Sequence, residues 1–312
     1  MTLSVVFFGT PEFAVPSLAA LLDAGMAVPL VVTQPDRPVG RHAEPRPSAV
    51  GAFGAARGLA VEKPERVKGN ASLQSRLAAA APDAIAVVAY GRLVPPEILG
   101  LPRLGCLNVH ASLLPRHRGA SPVQAALLAG DRETGVTTMR MEEGLDTGPV
   151  YLERRVAIGE SETAGELSAR LATLGGALLV ETLRGLEAGA LVARPQQGEP
   201  SFCRPIRRED AAVDWKLGAE ELSRRLRAFT PWPGLYSFLD GERVKILEAR
   251  VRPGRLEGPP GTLSLEGGEL LVAAGGGTGL ALARLQRAGR RPVTGPEFAR
   301  SSSLPARFRD AP

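Results

Sequence analysis

Short apolar runs alternate with helix-like segments through the first 190 residues, and this alternation restricts the possible fold more than any other feature of the chain. Neighbouring parallel strands need a long crossover connection, which is usually a helix. The alternation therefore predicts an α/β domain in which a mostly parallel sheet is covered on both faces. The predicted strands lie at 3–8, 28–33, 59–62, 84–88, 104–110, 135–141 and 150–158, and the predicted helices at 13–22, 48–58, 71–80, 120–129 and 162–188.

The pattern changes after residue 206. One helix is predicted at 219–228, followed by five short strands separated by Gly and Pro, which is typical of a small OB-like barrel. We therefore predict a first domain at 1–190, a linker at 191–205 that is extended and rich in Pro and Gly, and a smaller second domain at 206–312. The five strands are predicted at 234–239, 243–251, 261–266, 269–273 and 279–286.

The excess of positive charge lies in the last third of the chain. The formal net charge is +5, and residues 206–312 hold 18 basic against 13 acidic residues, while residues 1–205 hold 20 of each. A basic second domain favours a polyanionic partner, and nucleic acid is favoured over a membrane surface. The excess is small, so an ordinary solvated face remains an alternative.

The two cysteines and the N-terminus indicate a reduced, cytoplasmic setting. Cys106 and Cys203 are far apart and have no metal-binding spacing. The first residues are typical of a buried strand rather than a signal peptide, and no apolar run approaches the ~20 residues that span a bilayer.

The turn after the first strand reads Gly9-Thr10-Pro11-Glu12. Thr is a common helix N-cap and Pro is favoured at the first helical position, so we predict that Thr10 caps the first helix. The turn has a single glycine and does not match the G-x-G-x-x-G pattern of dinucleotide sites.

Polar side chains at the end of the strand at 104–110 mark a candidate site. Asn108 and His110 are two residues apart and therefore point to one face of that strand, at the edge where open α/β sheets bind ligands. Two such donors can form an oxyanion hole for acyl transfer. Asp146, between Gly144 and Gly148, can orient the imidazole or remove a proton from an attacking amine. Residues in these positions also often have only a structural role.

Several longer motifs carry a resemblance to a known family. The segments NVHASLLPRHRGASPVQ and GLDTGPV resemble the formyltransferases that use 10-formyltetrahydrofolate. Three further segments, FFGTPEFAVPSLAALL, TQPDRPVGR and FTPWPG, narrow the resemblance to members that act on initiator tRNA. The resemblance extends from residue 5 to about residue 293.

The resemblance implies a fold, a reaction and a set of site residues. The expected fold is a Rossmann-like formyltransferase sheet followed by an OB-like barrel that binds tRNA, in a monomeric protein that needs no metal. The donor is 10-formyltetrahydrofolate and the acceptor is the α-amino group of methionyl initiator tRNA. Asn108, His110 and Asp146 match the catalytic residues: Asn108 and His110 donate to the oxyanion, and Asp146 orients His110 and helps remove the amine proton. The expected folate-binding residues are Ser112, Leu113, Leu114, Pro115, Ala89, Tyr90 and Gly91.

The expected RNA contacts come from two regions. The irregular loop at 34–47 matches a loop that contacts the acceptor stem, and Arg41 matches a basic residue there. The loop departs from the family pattern, because His42, Ala43 and Glu44 stand where lysines usually follow. In the basic second domain we predict that Arg287, Arg290 and Arg291 bind tRNA.

Other functions are compatible with parts of this pattern. A glycinamide-ribonucleotide formyltransferase shares the three catalytic residues but usually lacks a basic second domain. A sugar-nucleotide formyltransferase carries a similar barrel but usually differs in the first turn and in the loop at 34–47. A formyltetrahydrofolate hydrolase uses water as the acceptor. A non-catalytic RNA-binding module would not need the complete set of Asn, His and Asp.

Overall fold

The computed structural model describes residues 2–39, 44–302, 304 and 306–309, and these form two compact units. Unit 1 comprises residues up to Pro122 together with Glu133–Ala157 and Ser168–Arg204, and unit 2 comprises Val123–Arg132, Ile158–Leu167 and the residues from Pro205. The described strands up to residue 204 are β1 (Val5–Gly9), β2 (Val31–Val32), β3 (Arg37–Val39), β4 (Glu44–Arg46), β5 (Val61–Glu62), β6 (Ala84–Val88), β7 (Cys106–His110), β8 (Arg118–Gly119), β9 (Glu133–Arg140), β10 (Val150–Ala157) and β11 (Phe202–Cys203). The helices in this range are α1 (Val15–Asp23), α2 (Ala49–Ala56), α3 (Ala71–Ala80), α4 (Pro96–Leu99), α5 (Pro122–Ala129) and α6 (Ala164–Glu187).

The main sheet of unit 1 has the strand order β10-β9-β7-β6-β1-β2-β5. Within this order the neighbours β7, β6, β1, β2 and β5 pair in parallel. At one edge of the sheet β9 pairs antiparallel with both β7 and β10. Every residue of β1 and of β6 is buried, as expected for central strands with both faces covered. The predicted α/β fold with a mostly parallel sheet is confirmed.

The first βα turn differs from the prediction. The hydroxyl of Thr10 donates to the carbonyl oxygen of Tyr90 at 2.9 Å and does not cap a helix. A 3-10 turn covers Glu12–Ala14, and α1 begins only at Val15. The prediction that Thr10 is the N-cap was wrong. Tyr90, which follows β6, lies beside this turn, and its carbonyl oxygen accepts the hydrogen bond of the Thr10 hydroxyl instead.

The predicted loop at 34–47 contains a short hairpin-like pair, in which β3 and β4 are antiparallel to each other and separate from the main sheet. Its prolines pair as Pro38 with Pro45. Proline has no main-chain N–H to donate to a neighbouring strand, so strands that contain it are confined to the edges of sheets. Arg41 and His42 lie outside the described residues.

The segment predicted as a linker is bound to unit 1 over much of its length. Arg194 exchanges main-chain hydrogen bonds with Val150 at 2.7 and 2.8 Å. Further along, β11 pairs in parallel with β8, which is in the loop that follows β7. This segment is extended, and it forms part of unit 1 up to Arg204.

Unit 2 contains an antiparallel sheet that nearly closes into a barrel. Its sheet order is β12-β13-β16-β15-β14-β18, with β17 paired to β16. Arg309, just after β18, exchanges main-chain hydrogen bonds with Phe238 of β12, which brings the two ends of the sheet together. The predicted barrel-like second fold is confirmed. Its elements are α7 (Ala219–Ala228), β12 (Tyr236–Leu239), β13 (Glu242–Arg252), β14 (Thr262–Glu266), β15 (Glu269–Ala273), β16 (Gly279–Arg287), β17 (Val293–Thr294), α8 (Gly295–Arg300) and β18 (Ala306–Arg307).

The core of unit 2 is organised around Trp215. Its ring stacks on Phe308, with centroids 5.5 Å apart, and its Nε1 donates to Ser237 Oγ at 2.9 Å. The indole is thus buried with its polar N–H satisfied.

Membrane-spanning helices and metal-holding clusters are both absent from the described residues. Even α6, the longest described helix, lacks the apolar length needed to cross a bilayer. Within residues 2–39, 44–302, 304 and 306–309, no three His, Cys, Asp or Glu side chains are grouped so that they could hold a metal ion.

Candidate active site

Asn108, His110 and Asp146 lie together at the carboxyl end of β7. Asn108 Nδ2 donates a long hydrogen bond of 3.4 Å to Asp146 Oδ1. The other carboxylate oxygen, Oδ2, lies 3.7 Å from His110 Nδ1. The strand places both side chains on one face, and the loop at 141–149 brings the carboxylate to them. The predicted trio of side chains is therefore assembled in one place.

The hydrogen bond on the far side of the ring sets the tautomer of His110. Nε2 lies 3.0 Å from the carbonyl oxygen of His117. A carbonyl oxygen only accepts, so Nε2 carries the proton. In the neutral ring Nδ1 is then unprotonated, and it is this nitrogen that faces Asp146. Neutral His110 therefore has a proton acceptor, not a donor, on the side that faces Asp146.

The protonation state of His110 follows from its burial. The side chain is only 6% exposed. Burial lowers the pKa of His110 below its ordinary value, although the Asp146 carboxylate and the bond to His117 act in the opposite direction. With an ordinary value near ~6.5, the lowered pKa leaves the ring neutral at pH 7.

The main chain holds Asp146 in a defined place. Its Oδ2 accepts a hydrogen bond from the Gly119 amide at 2.8 Å. Asp146 has a φ of 51°, in the left-handed region that Asp tolerates better than most residues. A Cβ at Gly148 would overlap the carbonyl oxygen of Arg140. This position therefore needs a glycine, because the two main-chain segments approach each other closely.

The predicted folate segment, residues 112–115, is partly used to build the loop. Ser112 is fully buried and its hydroxyl donates to the Arg116 carbonyl oxygen. The Ser112 carbonyl accepts from the Thr137 hydroxyl at 2.7 Å. Leu114 and Pro115 are buried, and Leu113 is half-buried. Ser112 thus fixes the shape of the loop, while Leu113 keeps some exposed surface.

The second predicted folate element, Ala89-Tyr90-Gly91, is the turn that follows β6. The Tyr90 carbonyl accepts hydrogen bonds from Thr10 at 2.9 Å and from Gln34 Nε2 at 2.8 Å, so its two lone pairs are occupied. Its ring packs edge-on against Phe8 in the core. Ala89 and Gly91 are exposed at this edge of the sheet.

The predicted RNA-binding arginines differ in their surroundings. Arg287 pairs with Glu242 at 2.7 Å, donates to Ser302 at 3.1 Å and lies 4.7 Å from the centre of the Phe298 ring. Arg290 and Arg291 are exposed. The Arg287 guanidinium is therefore engaged within unit 2.

The sequence interpretation missed two residues that support the site. Gln196 contacts the main chain of the Asp146 loop, and Ser201 Oγ accepts from the His117 amide at 2.8 Å. Both come from the segment predicted as a linker. The available signal was a polar Gln within a long stretch without periodicity, since such stretches in compact domains are often functional.

Both cysteines are predicted to be poor nucleophiles in the native protein. Burial raises the pKa of Cys106 to about 12, and burial also raises the pKa of the half-buried Cys203. At pH 8 only on the order of 10⁻⁴ of Cys106 is thiolate, the reactive form. We expect mass spectrometry after treatment with iodoacetamide to find Cys106 unmodified and Cys203 slowly modified, with both alkylated in guanidinium. Rapid native labelling of Cys106 would contradict its burial.

Comparisons with known proteins match both parts of the chain. The family model described as Formyl transferase matches residues 2–183, and that described as Formyl transferase, C-terminal domain, matches residues 205–303. A methionyl-tRNA formyltransferase of Aromatoleum aromaticum is 46% identical over 97% of this chain and 96% of its own length. A methionyl-tRNA formyltransferase of Anaeromyxobacter dehalogenans is 49% identical over 92% of this chain and 93% of its own length.

A solved structure extends the likeness to the fold. A sugar 3N-formyl transferase, crystallised in the presence of dTDP and 5-N-formyl-THF, matches 93% of this chain and all of its own with a TM-score of 0.64 at 15% identity. At that identity the match concerns the fold alone. The identity to the two curated relatives and the model matches over both parts of the chain decide the family: this chain belongs to the formyltransferases.

Proposed function

We propose that this protein transfers a formyl group from 10-formyltetrahydrofolate to the α-amino group of methionyl initiator tRNA, for translation initiation. The observation that carries the proposal is the assembly of Asn108, His110 and Asp146 in a chain 46–49% identical, over more than nine-tenths of its length, to methionyl-tRNA formyltransferases. The enzyme is a one-carbon transferase that uses a folate co-substrate.

The first step is attack of the amine nitrogen on the formyl carbon. A carbon–nitrogen bond forms and the formyl oxygen becomes an oxyanion. Asn108 donates its amide N–H to that oxygen, exchanging the long 3.4 Å bond to Asp146 for a stronger, charge-assisted one. Removal of one oxyanion donor typically lowers kcat by ~10²–10³-fold.

Proton transfer involves His110 and Asp146. In the proposed reaction Nδ1 of His110 takes the proton that the amine loses as it bonds to carbon. The imidazolium formed is stabilised by the Asp146 carboxylate, whose Oδ2 lies 3.7 Å from Nδ1 in the free protein. The same proton then moves to N10 of the folate as the bond between N10 and the formyl carbon breaks. Asp146 thus stabilises the protonated ring, while the bond to His117 fixes its orientation.

The folate is proposed to lie along the carboxyl edge of the sheet. Ala89 and Gly91 are exposed and would offer main-chain hydrogen-bonding groups to a pterin ring, and the half-buried Leu113 would offer apolar surface next to the catalytic loop. Tyr90 and Ser112 support these segments from within the core.

A competition assay tests the proposed reaction. The protein is incubated with 10-formyltetrahydrofolate carrying a labelled formyl group and with purified methionyl initiator tRNA. Glycinamide ribonucleotide, an amino-sugar nucleotide and water serve as alternative acceptors. We expect label on the tRNA alone. Release of formate, or label on a small amine, would keep the folate chemistry and reject the tRNA acceptor.

Charge reversal separates the RNA-binding arginines from the structural one. We propose that Arg290 and Arg291 bind phosphates, so replacing both by Glu should weaken tRNA binding and reduce the slope of log K against log salt by about 1 for each phosphate no longer neutralised. The matched variant Arg287→Glu breaks the pair with Glu242 and the ring contact with Phe298, so its main effect should be a lower melting temperature. An unchanged salt slope in the double variant would place the RNA surface elsewhere.

A further inference from the structure

The side-chain amide of Gln196 uses all its hydrogen-bonding capacity on two segments of the active site. Its Nε2 donates to the carbonyl oxygens of Asp146 and Gly148, both at 2.8 Å. Its Oε1 accepts from Nε and Nη2 of Arg118, at 3.1 and 2.6 Å. One half-buried residue therefore joins the loop that carries the catalytic carboxylate to the loop that follows β7.

These contacts close a ring of hydrogen bonds. Arg118 is followed by Gly119, whose amide donates to Asp146 Oδ2 at 2.8 Å. Gln196 in turn holds the carbonyl of that same Asp146. The carboxylate is thus held from one side through Gly119, and the main chain behind it is held through Gln196. The two loops can move apart only if a bond in this ring breaks.

This ring of hydrogen bonds requires a neutral amide side chain at position 196. A Glu side chain would accept from Arg118 but could not donate to the two carbonyls, and a Lys side chain could not accept from Arg118. The main chain at Asp146 also has a positive φ of 51°, a conformation that needs support from its surroundings in a non-glycine residue. Gln196 supplies that support at the carbonyl of Asp146.

We propose that Gln196 is a positioning residue for formyl transfer: it holds the Asp146 loop and the loop at 117–119 in the one arrangement that places the Asp146 carboxylate beside Asn108 and His110. The proposal rests on the proposed function for the identity of the reaction. Gln196 does not touch the reacting atoms, and it acts through Asp146 and Gly119.

Three variants test this role. Gln196→Met keeps the length of the side chain and removes all four hydrogen bonds, whereas Gln196→Glu keeps only the acceptor for Arg118. Gln197→Met is the matched control, because Gln197 is the exposed neighbour. Steady-state kinetics with methionyl initiator tRNA give kcat and the KM for the folate donor. Amide hydrogen exchange of Gly119 reports the ring without substrate.

The expected result separates positioning from general loss of structure. In both Gln196 variants kcat should fall by about 10- to 100-fold while the KM for the folate stays within about two-fold, as expected when supporting hydrogen bonds are removed. The Gly119 amide should exchange faster than any fall in melting temperature accounts for, and Gln197→Met should match the wild type. Unchanged kcat and Gly119 exchange in Gln196→Met would overturn the proposal, as would a loss of kcat that only follows a loss of folded protein. If the wild type fails to formylate tRNA, the proposed function fails. Amide hydrogen exchange at Gly119 in the Gln196 variants then still tests whether Gln196 holds the two loops together.

Discussion

Replacing His110 by alanine is expected to lower kcat for formyl transfer by about 10²- to 10⁴-fold, the range typical for a lost general acid–base group. Nδ1 would no longer be available to take the amine proton and return it to the leaving nitrogen. The KM for the folate donor should change little, because the turn at 89–91 and Leu113 are not altered. Steady-state kinetics with methionyl initiator tRNA measure both quantities.

A second variant guards against an effect on folding alone. Alanine removes the imidazole N–H from the buried His117 carbonyl and keeps the weaker contact from the Cys203 thiol at 3.4 Å, whereas His110→Gln retains an amide N–H that can reach that carbonyl. Glutamine has no proton acceptor comparable to imidazole, so this variant should be as inactive as alanine and more stable. Near-normal turnover in His110→Gln would reject the proton-transfer role.

The pH dependence of formyl transfer follows from the protonation state of the His110 imidazole. His110 must be neutral to accept a proton, and burial lowers its pKa below the ordinary value despite the neighbouring Asp146 carboxylate. The kcat/KM of the wild type should therefore stay level as the pH falls to the ordinary histidine range and decline only below it. The residual activity of His110→Ala should lack this acid limb. A limb that persists in the variant would assign it to another group.

Much of the fold could be predicted because it depends on local patterns. The helices α3 and α7 begin and end at the predicted residues, and the apolar run at 84–88 coincides with β6. Buried parallel strands and amphipathic helices have periods that a single sequence displays. The 3-10 turn before α1 was not predictable in this way, because it depends on a bond from Thr10 to Tyr90, 80 residues away.

The candidate site was predictable only in part, for a related reason. Asn108 and His110 share a strand, so their common face follows from residue spacing. Asp146 follows from the motif around it. Gln196, in contrast, contacts Asp146 across 50 residues. The lack of periodicity in its segment indicates at most a functional stretch, and it does not reveal a contact with main-chain carbonyls of another loop. The tautomer of His110 likewise depends on the main-chain carbonyl of His117, a contact that residue spacing does not reveal.

Replacing Gly119 by alanine is expected to lower both the stability of the fold and the rate of formyl transfer. Gly119 has a φ of 120°, which side chains with a Cβ rarely adopt, and a Cβ there would overlap the carbonyl oxygen of Cys203. That oxygen accepts from the Ala120 amide at 3.1 Å, so β8 and β11 would have to separate. The strain and the overlap together should lower the free energy of unfolding by about 2–5 kcal/mol.

The loss of activity in Gly119→Ala should exceed what its stability explains. The Gly119 amide holds Asp146 Oδ2 at 2.8 Å, so displacement of the loop moves the carboxylate away from His110, and a shift of ~1 Å can lower kcat by ~10²-fold. Gly198→Ala is the matched control. Gly198 lies in the same unit with a φ of 101°, but the atom nearest to an added Cβ is Pro115 Cγ at 4.0 Å. The control incurs conformational strain without the overlap and should retain kcat within a few-fold. Denaturant unfolding and kinetics below the unfolding transition measure the two effects, and equal losses of kcat in both variants would show that strain, rather than the hydrogen bond between Gly119 and Asp146, accounts for the loss.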